Sequence, residues 1–213
     1  PSTRIHQSDV AGTTTHMMNF IRRCPLGAKD RLGYDMRMTE LLPLSDLSIA
    51  RASAILRTGG LVAFPTETVY GLGANANNAA AVAGIFGAKN RPEFNPLISH
   101  VATPDAAFAL GQKTPMAAAL ADAFWPGPMT LVLTREPDCP IAMLTSAGLE
   151  KIALRVPAHP EAQRLLAAFG EPIAAPSANM SGKISPSRAA HVMQSLAGRI
   201  DLVLDGGACE NGV

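Results

Sequence analysis

Four short polar segments carry residue types that could bind and activate an anionic substrate. The first, residues 64–73, sets Thr66, Glu67, Thr68 and Tyr70 between an apolar run and the glycines Gly71 and Gly73. Its hydroxyls and carboxylate suit ligand binding, and its glycines let backbone approach a ligand closely. The same threonines could instead cap a turn. The second places Lys89 and Arg91 just before Pro92, with Asn95 and His100 following. Two such cations can hold phosphate, the arginine as a planar fork and the lysine as a point charge. They could equally serve a helix C-terminus, where the macrodipole favours positive charge.

The third segment, residues 151–157, opens on Lys151 and carries Arg155 inside an apolar run. A guanidinium on a buried face needs an anion, either a bound carboxylate or phosphate or an internal carboxylate that sequence does not locate. The fourth, residues 174–185, strings together Ala175, Ser177, Asn179, Ser181, Gly182, Lys183 and Ser185. Small residues leave its backbone open, and its hydroxyls and amide suit phosphate or ribose oxygens. A helix-entry loop would use the same residues as caps.

Other chemistries are excluded. Gly182-Lys183 is followed by Ile184, so the segment is not a Walker A loop. Gly71 and Gly73 lack the third glycine of a dinucleotide fingerprint. There is no HExxH, no zinc-spaced His and Cys set and no nucleophile elbow, so no protein metal ligand is expected. The cysteines, Cys24, Cys139 and Cys209, are widely spaced and odd in number. They suit a reducing compartment rather than a disulfide framework. The formal charge of +1 makes any basic surface local. With 47% hydrophobic and 16% charged residues, the chain has enough apolar material for a core. It lacks the roughly 20-residue apolar run of a membrane span.

The elements that must position these segments follow from periodicity. Residues 46–58 read as a helix capped by Asp46, with Ile49, Ala52 and Leu56 inward and Gly59-Gly60 as its stop. Further helices are expected from the Asn78 cap to Ala88, over 106–110, 116–124 and 161–169, and from a Ser185 cap with Pro186 at the first position to Leu196. Short apolar runs at 61–64, 97–101, 129–133, 152–156, 173–175 and 202–204 read as strands buried on both faces, with 66–77 a loop. The alternation predicts an α/β sheet covered by helices.

The motifs narrow this further. Residues 60–73, Lys89-x-Arg91-Pro92, Asn95-Pro96-Leu97, Phe124-Trp125-Pro126-Gly127-Pro128-Met129-Thr130, Arg155-Val156-Pro157 and Pro176-Ser177-Ala178-Asn179-x-Ser181-Gly182 resemble, in order, the signature of the YrdC-like family. The resemblance runs from about Leu44 to the C-terminus. It is strongest to members that make threonylcarbamoyl-AMP. It implies a mixed, twisted α/β sheet with a concave ligand face, and synthesis of threonylcarbamoyl-AMP from L-threonine, bicarbonate and ATP with release of pyrophosphate. A separate complex would then modify tRNA adenosine next to the anticodon. Magnesium is expected to accompany ATP, the setting is expected to be cytoplasmic, and no membrane is expected.

By the same resemblance, Lys89, Arg91, Asn95, Lys151, Ser177, Asn179 and Ser185 would bind ATP, with Lys89 and Arg91 catalytic. Thr68, His100, Arg155 and Ala175 would bind threonine. At Lys151 the family usually carries another residue type. The catalytic domain is expected over 38–213, stopping short of the Glu-Ser-Thr that follows the final Gly-Val in family members. Residues 1–37 are expected to be a disordered or non-native extension or a transit-type leader. Two rival readings share the fold. One is a double-stranded RNA or tRNA-binding module using Lys89, Arg91, Arg155, Lys183 and Arg188. The other is an enzyme for a different carbamoyl substrate, as in hydrogenase maturation.

On this reading, replacing Lys89 and Arg91 together by alanine abolishes ATP binding in calorimetry and leaves the fold intact by circular dichroism. An unchanged ATP affinity contradicts the phosphate role.

Overall fold

The computed structural model describes residues 38–92 and 94–212, so the expectations for residues 1–37 lie outside the described residues. Eight strands form one mixed sheet: β1 (Glu40–Pro43), β2 (Val62–Phe64), β3 (Gly71–Asn75), β4 (Ile98–His100), β5 (Leu131–Thr134), β6 (Lys151–Arg155), β7 (Ile173–Ala174) and β8 (Leu202–Asp205). Their order across the sheet is β1-β8-β2-β3-β7-β4-β6-β5. The pairs β1–β8, β8–β2 and β4–β6 are parallel, and the others are antiparallel.

Among the described residues six α-helices accompany the strands: α1 (Asp46–Arg57), α2 (Ala79–Lys89), α3 (Pro104–Phe108), α4 (Pro115–Phe124), α5 (Pro160–Phe169) and α6 (Ala189–Leu196). Successive strand side chains point to opposite faces, and the core divides accordingly. Val62, Phe64, Ile173, Leu202 and Leu204 pack with Ile49 and Leu56 of α1 and Leu165, Leu166 and Phe169 of α5. Ala63, Leu72, Leu154 and Val203 pack on the other side with Val82, Ile85 and Phe86 of α2 and Val192 and Leu196 of α6. Cover on both faces explains why these strands read as unbroken apolar runs.

Tertiary bonds move several expected boundaries. Ser45, not Asp46, caps α1: its hydroxyl accepts from the Ser48 N–H at 3.1 Å, and the Ser48 hydroxyl accepts from the Ser45 N–H at 2.9 Å. This is a capping box with serine at its far position. The last helix does not start at Ser185. The Pro186 carbonyl accepts from the Tyr70 N–H at 2.8 Å and the Ser187 carbonyl from the Cys209 N–H at 2.9 Å. Those bonds hold the backbone extended, and α6 begins at Ala189.

The expected loop 66–77 contains β3, which carries two glycines that ordinarily weaken a strand. A Cβ on Gly73 would lie 2.8 Å from Ile173 Cγ2 and 2.9 Å from Phe64 Cε1. The glycine therefore lets two large neighbours close over the strand. β1 also goes unread in the sequence, because as an edge strand it has alternating half-buried and exposed residues rather than an apolar run.

Loss of the α1 cap in Ser45→Ala is expected to cost about 1 kcal/mol. That lowers the melting temperature by about 2–4 °C. No change in thermal denaturation would show that the cap contributes nothing.

Candidate functional site

The four polar segments converge where β2, β4, β6 and β7 meet their loops. Thr66 organises the turn after β2. Its hydroxyl donates to the Val69 carbonyl at 2.7 Å and accepts from the N–H groups of Thr68 at 3.2 Å and Val69 at 3.3 Å. Thr66 is thus the turn cap that threonines commonly provide, and Thr68 keeps a half-buried hydroxyl 3.1 Å from it. The chain after β8 ties this turn down from outside. The Asn211 N–H donates to the Glu67 carbonyl at 3.2 Å and the Gly212 N–H to the Thr68 carbonyl at 3.0 Å. Buried Tyr70 joins the two stretches by donating to the Gly207 carbonyl at 2.7 Å, and burial pushes its phenol up to about 12.

His100 and Arg155 are register partners on the parallel strands β4 and β6. Partners in such a pair share a face of the sheet. His100 is buried, with its ring edge-on to Phe64 at 6.3 Å between centroids. Its Nδ1 has no hydrogen-bond partner among the described residues. Burial, and then the neighbouring Arg155 charge, push its pKa down to about 3, so the imidazole is neutral.

The anion that Arg155 requires is Glu67. Arg155 Nη2 donates to Glu67 Oε1 at 2.6 Å, and both side chains are 9% exposed. Nη2 also reaches the Thr68 hydroxyl at 3.4 Å, while Nε donates to the Gly127 carbonyl at 3.3 Å. Burial raises the Glu67 carboxyl, but the Arg155 hydrogen bond and charge, with backbone N–H groups, outweigh it and hold the group below its usual range. The internal carboxylate left open by the sequence is therefore found. The pattern held a clue, because among the four polar segments only Glu67 and Glu93 are acidic.

Thr68, His100, Arg155 and Ala175 line one cavity of about 140 Å³, together with Ser177. This volume suits a ligand of a few heavy atoms. Beside it lies the loop after β7. Lys89, at the last position of α2, is 1% exposed and donates from Nζ to the carbonyls of Ser177 and Asn179. Burial first, and Arg91 second, lower its pKa to about 8. Asn179 Nδ2 donates to the carbonyls of Met180 at 2.9 Å and Lys183 at 2.6 Å, while its buried Oδ1 has no partner among the described residues.

Left-handed Asn90 ends α2, so Arg91 rather than Lys89 enters the loop. Arg91 is half-buried, with Nη2 3.4 Å from the Pro96 carbonyl, and burial lowers its pKa. Asn95 is half-buried nearby in the chain. Lys151 is exposed at the start of β6, roughly 13 Å of strand from Arg155. It is not drawn to the small cavity. Carried back two residues, the β4–β6 register points it toward Pro96. Ser185 lies apart from the small cavity and lines a larger one of about 580 Å³ with Met180, Lys183, Ile184 and His191.

The burial of Lys89 corrects two expectations. Its alanine variant would strip the donor from two carbonyls, so the double replacement does not leave the fold untouched, and Arg91→Ala alone is the cleaner probe. Nor do five cations form one open basic face, because Lys89 and Arg155 are buried and Arg155 is paired. Among the described residues no group of three or more His, Cys, Asp or Glu side chains could hold a metal ion. Nor is any described helix long and apolar enough to cross a membrane.

Comparison with known proteins gives these features a family. The model Sua5_yciO_yrdC, described as telomere recombination, matches residues 54–213. A Bacillus subtilis protein named threonylcarbamoyl-AMP synthase is 50% identical over 83% of this chain and 51% of its own length. A Halorhodospira halophila protein of the same name is 39% identical over 74% of this chain and 82% of its own length. The crystal structure of Pyrococcus abyssi Sua5 complexed with L-threonine superposes with a TM-score of 0.76 at 45% identity, covering 83% of this chain and 52% of that one. The chain thus spans about half the length of the Bacillus relative and of the Pyrococcus structure.

Neutral buried His100 makes stability depend on pH. Its pKa is depressed below the unfolded value of 6.5, so its contribution is full above that value and is lost as pH falls toward 3. The slope is about 1.4 kcal/mol per pH unit, or about 2 kcal/mol by pH 5. His159, also depressed by burial, acts in the same direction. Urea midpoints at pH 7 and pH 5 are expected to differ less in His100→Gln than in the unaltered chain. Equal differences would mean that His100 is not held neutral.

Proposed function

The chain belongs to the Sua5/YciO/YrdC family, and from that membership we propose that it makes threonylcarbamoyl-AMP from L-threonine, bicarbonate and ATP. The observation that carries the proposal is the single small cavity onto which Thr68, His100, Arg155 and Ala175 converge. An amino acid fits its scale. Thr68 offers a hydroxyl and Arg155 a guanidinium for the α-carboxylate. ATP would lie alongside, against Arg91, Asn95 and the Ser177–Asn179 turn, with Lys89 supporting that turn and adding positive charge beneath it. Ser185 and Lys151 would mark the outer reaches of the nucleotide.

In this reaction the carboxylate of N-carboxy-threonine attacks the α-phosphorus. A carbamate O–P bond forms, the bond from the α-phosphorus to the α,β-bridging oxygen breaks, and pyrophosphate leaves. Negative charge spreads over the phosphoryl oxygens, and fixed cations and N–H donors lower the barrier without reorganising. Magnesium typically binds substrate phosphates rather than an all-protein cage. The described residues offer no carboxylate cage for it. The product would pass to a separate complex that modifies tRNA adenosine beside the anticodon, which fits a cytoplasmic setting.

Pyrophosphate release from ATP is expected to require both L-threonine and bicarbonate. Release without them, or none with them, overturns the proposal. Arg155→Lys keeps a cation beside Glu67 but loses the planar fork. It should weaken threonine binding by about tenfold or more while ATP affinity stays within about twofold. Equal loss of both in calorimetry would remove Arg155 from the amino-acid site.

A further inference from the structure

The small cavity has one ionised group in its wall, Arg155, and directly behind it a carboxylate that does not line the cavity. We infer that Glu67 sets the charge of this cavity: it fixes the Arg155 guanidinium in the wall and cancels its charge, so that the site takes a net-neutral zwitterionic amino acid and rejects simple carboxylates. The inference rests on the reading of this cavity as the amino-acid site.

Three observations support it. First, the guanidinium is held along one edge. Nη2 is engaged by Glu67 and Thr68 and Nε by the Gly127 carbonyl, while among the described residues Nη1 makes no hydrogen bond or ion pair. Arginine is flexible until such contacts fix it, so Glu67 determines which N–H groups remain for a ligand. Second, Glu67 is itself immobilised, through its side chain on Arg155 and its carbonyl on the Asn211 N–H. Third, the rest of the wall is uncharged. Thr66, Thr68 and Ser177 supply hydroxyls, and buried His100 is neutral.

A cation buried alone would draw any small anion, because the interior screens charge poorly. The pair presents hydrogen-bond direction with little net field. An amino acid, whose own charges sum to zero, matches that wall. Acetate would bring an uncompensated charge into it.

The test compares the unaltered chain with Glu67→Gln and Glu67→Asp by calorimetry, using L-threonine and sodium acetate as probes. The unaltered chain should prefer threonine to acetate by at least tenfold. Glu67→Gln leaves the guanidinium uncompensated, so threonine affinity should fall about tenfold while acetate affinity rises about tenfold. Glu67→Asp keeps the charge but withdraws the carboxylate, so threonine affinity should fall with no gain in acetate. Because Glu67→Gln leaves a buried cation unpaired and weakens the fold, thermal denaturation supplies a second readout. Acetate should raise the melting temperature of Glu67→Gln and not that of the unaltered chain. The inference is overturned if acetate affects both chains alike, or if both affinities fall together. Failure of the unaltered chain to bind threonine counts against the amino-acid reading, while the acetate comparison still decides whether Glu67 cancels the Arg155 charge.

Discussion

A guanidinium at the buried end of a strand must be neutralised, and much of the local architecture follows from that demand on Arg155. Its carboxylate comes from the turn after β2, its Nε acceptor from the Trp125–Pro128 turn, and its neighbour on the sheet is His100. Leaving either ion unpaired would cost several kcal/mol. The turn that carries Glu67 is therefore fixed twice, by the Thr66 hydroxyl from within and by Asn211 and Gly212 from outside. The same contacts that make the pair tolerable shape the cavity wall.

Lys89 imposes a second constraint of the same kind. A lysine with almost no exposure has lost most of its hydration, and two backbone carbonyls of the loop after β7 replace it. Those carbonyls belong to Ser177 and Asn179, so the end of α2 and the loop are locked together. Burial draws the ammonium down to about 8, which leaves it mostly protonated near neutrality. Arg91, two residues further on in the loop and only half-buried, is the cation better placed to meet a ligand directly.

The two constraints sit on opposite sides of Ser177. Its side belongs to the small cavity and its carbonyl to the Lys89 tether. A shift of this loop would therefore be felt in the wall of the small cavity, because Ser177 belongs to both. The Gly71–Ser177 bridge shortens the path further.

The sequence alone determined the α/β class, most helices and strands, and the four segments that meet at the site, because these depend on local periodicity and on residue types in fixed order. The Asn78 cap of α2 was legible for that reason, as a short-range signal. Tertiary structure decided what depends on partners remote in the chain. Gly71–Asn75 became a strand because Phe64 and Ile173 needed the space over Gly73. The Ser185 helix start failed because Tyr70 and Cys209 claimed the carbonyls of Pro186 and Ser187. Lys89 could be read as a loop cation only until its burial was known. Arg155 could be assigned an anion but not a particular one, since Glu67 lies 88 residues away in sequence. Propensity and spacing carry no information about such distances, whereas the energy of a buried charge is set almost entirely by what stands next to it.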